Sequence, residues 1–154
     1  MDGVDRVRDA AGRLGLDIDV RRFPEGTRTA SEAARAVGCP IGAIVKSLIF
    51  AVDDEVVLAL VSGANQLDED LLAMAAGGRR CRRVSAEEVR AATGFPIGGV
   101  PPIGLASEVR EFMDEDLMTH DLVWAAAGTP HHVFSIAPTA LATASGGWVG
   151  PLRR

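Results

Sequence analysis

Lysine is almost absent from this chain: Lys46 stands alone among 154 residues, and the other fifteen basic residues are arginine. Long apolar runs are missing too, and without eighteen consecutive apolar residues the sequence predicts no transmembrane helix. Residues 1–14 are charged and amphipathic and lack the apolar core of a signal peptide. We therefore expect a cytoplasmic protein with no membrane contact.

Cysteine and histidine are equally scarce. Cys39 and Cys81 lie far apart without CxxC spacing, which argues against a zinc site and against a disulfide framework. His131 and His132 are adjacent, so from one strand they would point to opposite faces and could not both bind one metal ion. The sequence accordingly predicts a protein with no metal and no other cofactor.

Net charge and motif content exclude further classes. A net charge of −5 argues against a general nucleic-acid coat, but it leaves room for a small basic pocket that grips one end of a nucleic acid. The chain has no P-loop, no dinucleotide-binding glycine fingerprint and no Gly-x-Ser-x-Gly elbow. Nucleotide-binding folds of those kinds and α/β-hydrolases are therefore disfavoured.

The apolar stretch 41–50 is the centre of the sequence, because it carries the single lysine among β-branched residues. This pattern indicates a buried strand rather than a helix. A lysine inside such a strand is costly unless its ammonium reaches a cleft, an anion or a carboxylate. Two interpretations stay open: Lys46 snorkels from a strand end, or it presents a compact cation to a bound anion.

Turn residues and hydrophobic periodicity predict short strands interspersed with helices, without repeats or an interior linker. We therefore expect a single α+β domain over residues 1–154. Loops are expected at 24–28 and 62–66, and a tail at 146–150. The predicted helices are 4–14, 29–38, 68–77, 85–93 and 138–144, and the predicted strands are 17–23, 41–50, 56–61, 79–84, 108–113, 121–127 and 132–137.

Two further segments each allow a structural and a functional interpretation. Residues 95–104 hold three glycines and three prolines, so they form either a rigid connection or a loop that lines a ligand. Residues 79–83 contain four arginines, which could meet RNA phosphates or form a solvated edge. An anion-binding lysine and a rigid loop suit the hydrolysis of an already reactive aminoacyl ester without a dedicated nucleophile.

These residues carry a resemblance that extends over nearly the whole chain. Its segments, in order, are Thr29–Ala34, Ile44–Phe50, Val61–Gly63, Thr93–Phe95, Gly98–Gly104 and Gly128–Pro130. On them the chain resembles the YbaK family, the editing domain associated with prolyl-tRNA synthetase. The resemblance implies a compact α+β domain in which helices flank a curled mixed β-sheet. It also implies a deacylase that clears wrongly charged tRNA, usually tRNA for proline.

The resemblance further implies roles for individual residues. Lys46 matches the family's lysine, which holds the phosphate of the tRNA's terminal adenosine, and Gly98 begins the Gly-x-x-x-Pro loop that lines the aminoacyl pocket. We take these two as catalytic. In this family the 2′-hydroxyl of the tRNA helps to activate or position water, and some relatives have a selectivity histidine, here His131 or His132. The residues expected to bind substrate are Thr29, Ser62, Gly63, Gly98, Gly99, Val100, Pro101, Pro102, Gly128, Thr129 and His131.

The predicted function is that of a freestanding editor that deacylates alanyl-tRNA for proline in trans. A pocket that admits alanine and excludes proline would act as the second sieve of a synthetase whose own site cannot fully reject smaller residues. Clearing of cysteine, serine or threonine is an alternative. So are a module that binds the tRNA end without turnover and a hydrolase that uses Cys39 or Cys81. The expected partners are the tRNA acceptor end and prolyl-tRNA synthetase.

Overall fold

The computed structural model of the chain describes residues 2–23 and 29–154, so the loop predicted at 24–28 lies outside the described residues. None of the helices in these two ranges has the length and hydropathy needed to cross a membrane. The α-helices are α1 Gly3–Arg13, α2 Ala30–Val37, α3 Glu69–Ala75, α4 Ala86–Thr93 and α5 Pro138–Ala144. The strands are β1 Asp19–Arg22, β2 Val45–Val52, β3 Glu55–Ser62, β4 Cys81–Arg83, β5 Arg110–Asp114, β6 Val123–Ala126, β7 His132–Ile136 and β8 Val149–Gly150.

Capping side chains explain why four of the helices begin where the sequence predicts. Asp2, Thr29, Asp68 and Ser85 each accept a hydrogen bond from a backbone N–H in the first turn of the helix that follows. Ser85 also forms the complete reciprocal capping box with Glu88. These contacts involve residues two or three positions apart, so they can be predicted without knowledge of the tertiary structure.

Two predicted elements differ from the structure. The stretch 41–50 does not start as a strand, because Ile41–Ala43 form a 3₁₀ turn and β2 begins at Val45. The predicted tail contains β8, whose two residues pair in parallel with Met113 and Asp114 of β5. Such a short strand has no periodicity of its own to detect, and its pairing partner is distant in the sequence.

The strands form two sheets, one in the order β4-β2-β3-β5-β8 and one in the order β1-β7-β6. β5 pairs in parallel with β3 and with β8, whereas the other neighbouring strands are antiparallel. A parallel bridge between Ile44 and Trp124 joins the two sheets. The predicted α+β class and the mixed sheet are thus confirmed, and the curled sheet consists of two hydrogen-bonded parts that meet at this bridge.

β3 is the central strand of the larger sheet and is buried on both faces. Leu58 and Leu60 pack into a core shared with α1, α4 and the smaller sheet, whereas Val57, Ala59 and Val61 pack on the opposite side with α3 and the C-terminal residues. In the neighbouring strand β2 the same alternation places Lys46 opposite Val61, on the α3 side of the sheet. The lysine therefore leaves the larger apolar core and reaches a polar region at the end of β3.

Candidate active site

A cleft of about 390 Å³ opens between the two sheets, beside the Ile44–Trp124 bridge. β2 pairs with β3 along its whole length, but its other edge pairs with β4 only at residues 50–52. β6 uses its far edge to pair with β7. Beyond the bridge the two facing edges are not paired with each other, and in the described part of the chain no strand pairs with residues 45–49 on this side or with the facing edge of β6. Backbone groups on these edges can bind a ligand directly.

Lys46 lies on the β2 wall of this cleft and is half-buried. Its Nζ donates a hydrogen bond to the main-chain carbonyl of Asn65, in the loop after β3. Burial lowers the pKa of the Lys46 ammonium, and the negative charge of Asp114 opposes that shift. Among the described residues, the Asn65 carbonyl is the one hydrogen-bond acceptor of this ammonium, which carries three N–H donors.

The loop predicted to line the ligand forms part of the facing wall, with Ile97, Gly98 and Val100 in contact with the cleft. Gly98 has a φ of +87°, a left-handed conformation that is strained for residues with a side chain. Gly99 is buried against the turn before β7, and a Cβ there would lie 2.9 Å from the Cα of Thr129. The backbone of this loop therefore packs directly on the turn that carries Thr129.

That turn contributes Thr129 and Pro130 to the cleft, and His132, the first residue of β7, follows them. The Thr129 hydroxyl lies 2.6 Å from Nδ1 of His132 and accepts a hydrogen bond from the backbone N–H of His131 at 3.1 Å. Burial lowers the pKa of His132, the nearby positive charges of Arg22, His131 and Arg8 lower it further, and Asp2 opposes them. A lowered pKa keeps the imidazole of His132 neutral near pH 7, with one ring nitrogen held by Thr129.

The structure brings five of the predicted site residues together in the lining, namely Thr29, Lys46, Gly98, Val100 and Thr129. Of the others, Ser62 ends β3 opposite Val45 and Gly63 follows it; Ser62 is buried, and its hydroxyl donates to the carbonyl of Gly42 at 2.8 Å. Gly99 and Gly128 pack against each other behind the loop. Pro101 and Pro102 are buried, and Pro102 borders a different cavity.

His131 has an exposed side chain outside the lining, and its Nδ1 lies 3.3 Å from the carbonyl oxygen of Phe23. The structure thus places His132, rather than His131, in the cleft. Alternation along β7 allows one of two adjacent histidines to face the cleft, but the sequence does not show which. The pairing of β7 with β1 and β6 decides it.

Sequence reasoning missed several residues of the wall, including Ser47, Ile97 and Trp124. Ile97 precedes Gly98 in the loop expected to line the ligand, so its place in the wall could have been predicted from the sequence. Ser47 follows Lys46, and its buried hydroxyl has no hydrogen-bond partner among the residues that the structure describes. Nothing in the local sequence marks Trp124, because it reaches the cleft only through the bridge between the sheets.

Neither cysteine lines the cleft. Burial raises the pKa of Cys39, and it raises the pKa of Cys81 to about 11 together with the nearby charges of Glu69 and Asp70. Both thiols are therefore protonated near pH 7 and are weak nucleophiles. Within residues 2–23 and 29–154, no cluster of three or more His, Cys, Asp or Glu side chains could hold a metal ion.

The four arginines of residues 79–83 lie on and before the edge strand β4. Arg82 and Arg83 are exposed, and Arg82 forms an ion pair with Glu88 at 3.2 Å. A groove of about 390 Å³ runs from Arg83 to the mouth of the cleft and shares Ser47, Ile97 and Gly98 with it. Positive charge is thus present at the far end of a groove that leads to Lys46.

Comparison with solved structures shows the same fold in a protein of similar length. A crystal structure of a proposed trans-editing enzyme for prolyl-tRNA synthetase superimposes with a TM-score of 0.93 at 42% identity, and the match covers 100% of this chain and 98% of that one. The uncharacterized protein YwhH of Bacillus subtilis is 29% identical over 135 residues, which are 88% of this chain and 86% of YwhH.

Longer relatives contain a matching segment. The proline–tRNA ligase of Maridesulfovibrio salexigens is 38% identical over 94 residues, which are 61% of this chain and 16% of that ligase. The chain therefore spans a small part of the length of the ligases that it matches. A family model of the aminoacyl-tRNA editing domain matches residues 24–144. The chain belongs to the aminoacyl-tRNA editing domain family, as its resemblance to the YbaK family predicts.

Proposed function

We propose that residues 1–154 act as one domain that hydrolyses the ester of mischarged tRNA in trans, with alanyl-tRNA for proline as the substrate. The observation that carries this proposal is the composition of the cleft. Lys46 lies on one wall, the Gly98 loop and the Thr129–His132 turn lie on the other, and no cysteine contributes. An anion-binding group thus faces a rigid backbone wall across a space that suits a small ligand.

In the proposed reaction, the Lys46 ammonium binds a phosphate of the terminal adenosine, and the aminoacyl ester lies against residues 97–100. Water attacks the carbonyl carbon, the bond to the ribose oxygen breaks, and the products are free alanine and tRNA with a free terminal hydroxyl. The protein's contribution is to hold the ester and the phosphate in a fixed relation. His132, held by Thr129, has a second ring nitrogen that can orient water or the substrate.

The larger side chains of the lining support a substrate with a small amino acid, because they limit the space beside the alanines. Ala30, Ala33, Ala125 and Ala126 line the cleft together with the larger Trp124 and Val133. A pocket can exclude a larger residue sterically, although it discriminates poorly against residues of similar or smaller size. Alanine therefore fits the proposal. Because cysteine and serine are of similar size, the hydrolysis rates of their tRNA esters have to be measured beside that of the alanyl ester.

The proposed partner is the single-stranded acceptor end of tRNA. The groove that joins the cleft to Arg83 gives an extended strand a path, and an arginine at its end can pair with a backbone phosphate. The relation to a proposed trans-editing enzyme for prolyl-tRNA synthetase also supports tRNA for proline as the substrate, with prolyl-tRNA synthetase as a second candidate partner.

Single-turnover deacylation tests this proposal. The purified full chain is mixed with tRNA for proline charged separately with alanine, cysteine, serine or proline, and with unrelated alanyl-tRNA as a control. We expect rapid release of alanine and an intact prolyl ester. Binding of every substrate without hydrolysis would show a binding module instead. Loss of hydrolysis after alkylation of Cys39 or Cys81 would show a thiol hydrolase.

A further inference from the structure

Behind Lys46, a polar network connects the end of β3 to the end of β5. The main-chain carbonyl of Asn65 accepts the hydrogen bond from the Lys46 ammonium. The side-chain amide of the same residue donates to Asp114 at 2.9 Å and to Asp116 at 2.8 Å. Asn65 therefore links the cation of the cleft to two carboxylates.

Asp114 is fully buried, and its carboxylate accepts hydrogen bonds from three donors. Besides the amide of Asn65, these are the backbone N–H of Ser62 at 3.1 Å and the backbone N–H of Asp116 at 2.9 Å. Burying a carboxylate is costly even when its hydrogen bonds are satisfied, and apolar residues often stabilise a core better. A role beyond stability would account for a charge at this position.

The surrounding charges distinguish the two carboxylates. Asp116 has Arg153 at 3.4 Å, whereas Asp114 forms no ion pair among the residues that the structure describes. Asp114 acts on the Lys46 ammonium through space and opposes the effect of burial on the pKa of that lysine. His132, a member of the facing wall, is the other titratable side chain of the cleft.

We infer that Asn65 and Asp114 are positioning residues for Lys46. The Asn65 carbonyl fixes where the ammonium points, and the Asp114 carboxylate holds Asn65 in place and favours the charged form of the lysine. This inference rests on the proposed function, in which Lys46 binds a phosphate of the substrate. It also gives Ser62 a role, because the backbone of that residue forms part of the same support.

The presence of a single lysine makes a direct test feasible. Labelling with ¹³C,¹⁵N-lysine produces one lysine side-chain signal in NMR spectra, and its titration measures the pKa of Lys46 without tRNA. We expect Asp114→Asn to lower the pKa of Lys46 below its wild-type value. Asp116→Asn is the matched control. It removes the other carboxylate that accepts a hydrogen bond from the Asn65 amide, and Asp116 already forms an ion pair with Arg153. An unchanged pKa in Asp114→Asn, or equal shifts in both variants, would overturn the inference.

Asn65→Ala covers the case in which Asp114→Asn does not fold. This variant keeps the main-chain carbonyl of residue 65 but removes the side-chain amide that donates to Asp114 and Asp116. We expect its deacylation of alanyl-tRNA to fall by about tenfold to a hundredfold, because small misplacements at a reacting centre cost that much. A wild-type rate overturns the inference. If instead Lys46→Ala kept full activity, the proposed role of Lys46 would fail, while the titration would still decide whether Asp114 acts on it.

Discussion

Lys46 combines a cost in stability, because its charge is partly buried, with a position in the lining of the cleft. Its strand pairs with β3, which is buried on both faces, yet the alternation of β2 directs the side chain to the polar end of β3. The hydrogen bond to Asn65 satisfies one N–H donor, and Lys46 also lines a cleft with space for a small ligand. The structure places the lysine outside the larger apolar core and in the lining of a cleft, and its binding of an anion there stays a prediction.

Replacing Lys46 should abolish most of the proposed activity while the fold persists. Lys46→Ala removes a charge-assisted contact with phosphate, so we expect single-turnover deacylation to fall by about ten- to a hundredfold. Lys46→Arg should recover only part of the rate, because a planar guanidinium does not replace a compact ammonium. Melting curves for each variant provide the folding control. A wild-type rate from a well-folded Lys46→Ala protein would contradict the mechanism.

The two thiols should be dispensable. Cys39 and Cys81 lie outside the cleft, and burial raises the pKa of each, so neither provides a thiolate near pH 7. We expect Cys39→Ser and Cys81→Ser to deacylate alanyl-tRNA at close to the wild-type rate, measured under single-turnover conditions. A loss of orders of magnitude in a folded variant would support the thiol hydrolase.

At the scale of elements, the site depends on the contact between the Gly98 loop and the turn before β7. Gly99 approaches Gly128 and Thr129 so closely that backbone meets backbone. That turn also fixes His132 through Thr129. The loop and the histidine are thus parts of one packed unit, although about thirty residues separate them in the chain.

A methyl group on Gly99 should disturb this unit. In Gly99→Ala the Cβ would lie 2.9–3.0 Å from backbone atoms of Gly128 and Thr129, so the turn must shift. We expect a destabilisation of about 1–3 kcal/mol and a loss of roughly tenfold or more in deacylation rate. Unfolding in urea and single-turnover kinetics measure the two effects. An unchanged deacylation rate would show that the Gly98 loop is not part of the site.

Gly98→Ala and Gly77→Ala form a matched pair that separates backbone strain from function. Both glycines have a left-handed φ, +87° for Gly98 and +78° for Gly77. A Cβ on Gly77 would meet no atom within 4 Å, and Gly77 does not line the cleft. Each substitution should cost about 1–2 kcal/mol of stability. Only Gly98→Ala, whose methyl group faces Pro130 at 3.8 Å, should also lower the deacylation rate. Equal activity in the two variants would show that Gly98 is not part of the site.

At the scale of the whole molecule, Glu111 makes stability depend on pH. This β5 residue lies opposite Leu58 and borders a cavity of about 670 Å³ that is separate from the cleft. Its Oε1 is buried without a hydrogen-bond partner in the described ranges. Burial raises the pKa of the Glu111 carboxyl from 4.5 to about 9, so the folded protein holds a proton there that the unfolded chain has lost.

The sign of the effect follows from proton binding. Between pH 4.5 and about pH 9 the folded state binds more protons at Glu111 than the unfolded state, so stability falls as pH rises. The slope contributed by one group is at most about 1.4 kcal/mol per pH unit. We expect Glu111→Gln to remove this dependence and to be more stable than the wild type at about pH 8.

Urea unfolding between about pH 5 and about pH 8.5 measures that dependence. Glu108→Gln is the control, because it removes an exposed carboxyl from the same segment and matches the change in net charge. Parallel pH profiles for the wild type and Glu111→Gln would show that Glu111 is not buried as a neutral acid.

Much of the fold follows from short-range patterns in the sequence. Helix starts depend on capping residues within one turn, the β2–β3 hairpin depends on two apolar runs around a polar turn, and the irregular loop depends on its own glycines and prolines. The α+β class was accessible in the same way, whereas the family and the expected roles of Lys46, Gly98 and Thr129 came from the resemblance to the YbaK family.

Contacts between distant residues decided the rest. The bridge from Ile44 to Trp124 sets where the cleft opens, and the pairing of β7 selects His132 over His131 as its lining residue. Ser62 lies in a segment that carries the family resemblance, but the tertiary structure leaves it outside the cleft lining, with its backbone N–H bonded to Asp114. The sequence alone determined which residue types and local turns are present. Only the tertiary structure decided which strand edges stay unpaired and which side chains share the cleft, because those outcomes depend on packing between segments that are far apart in the chain.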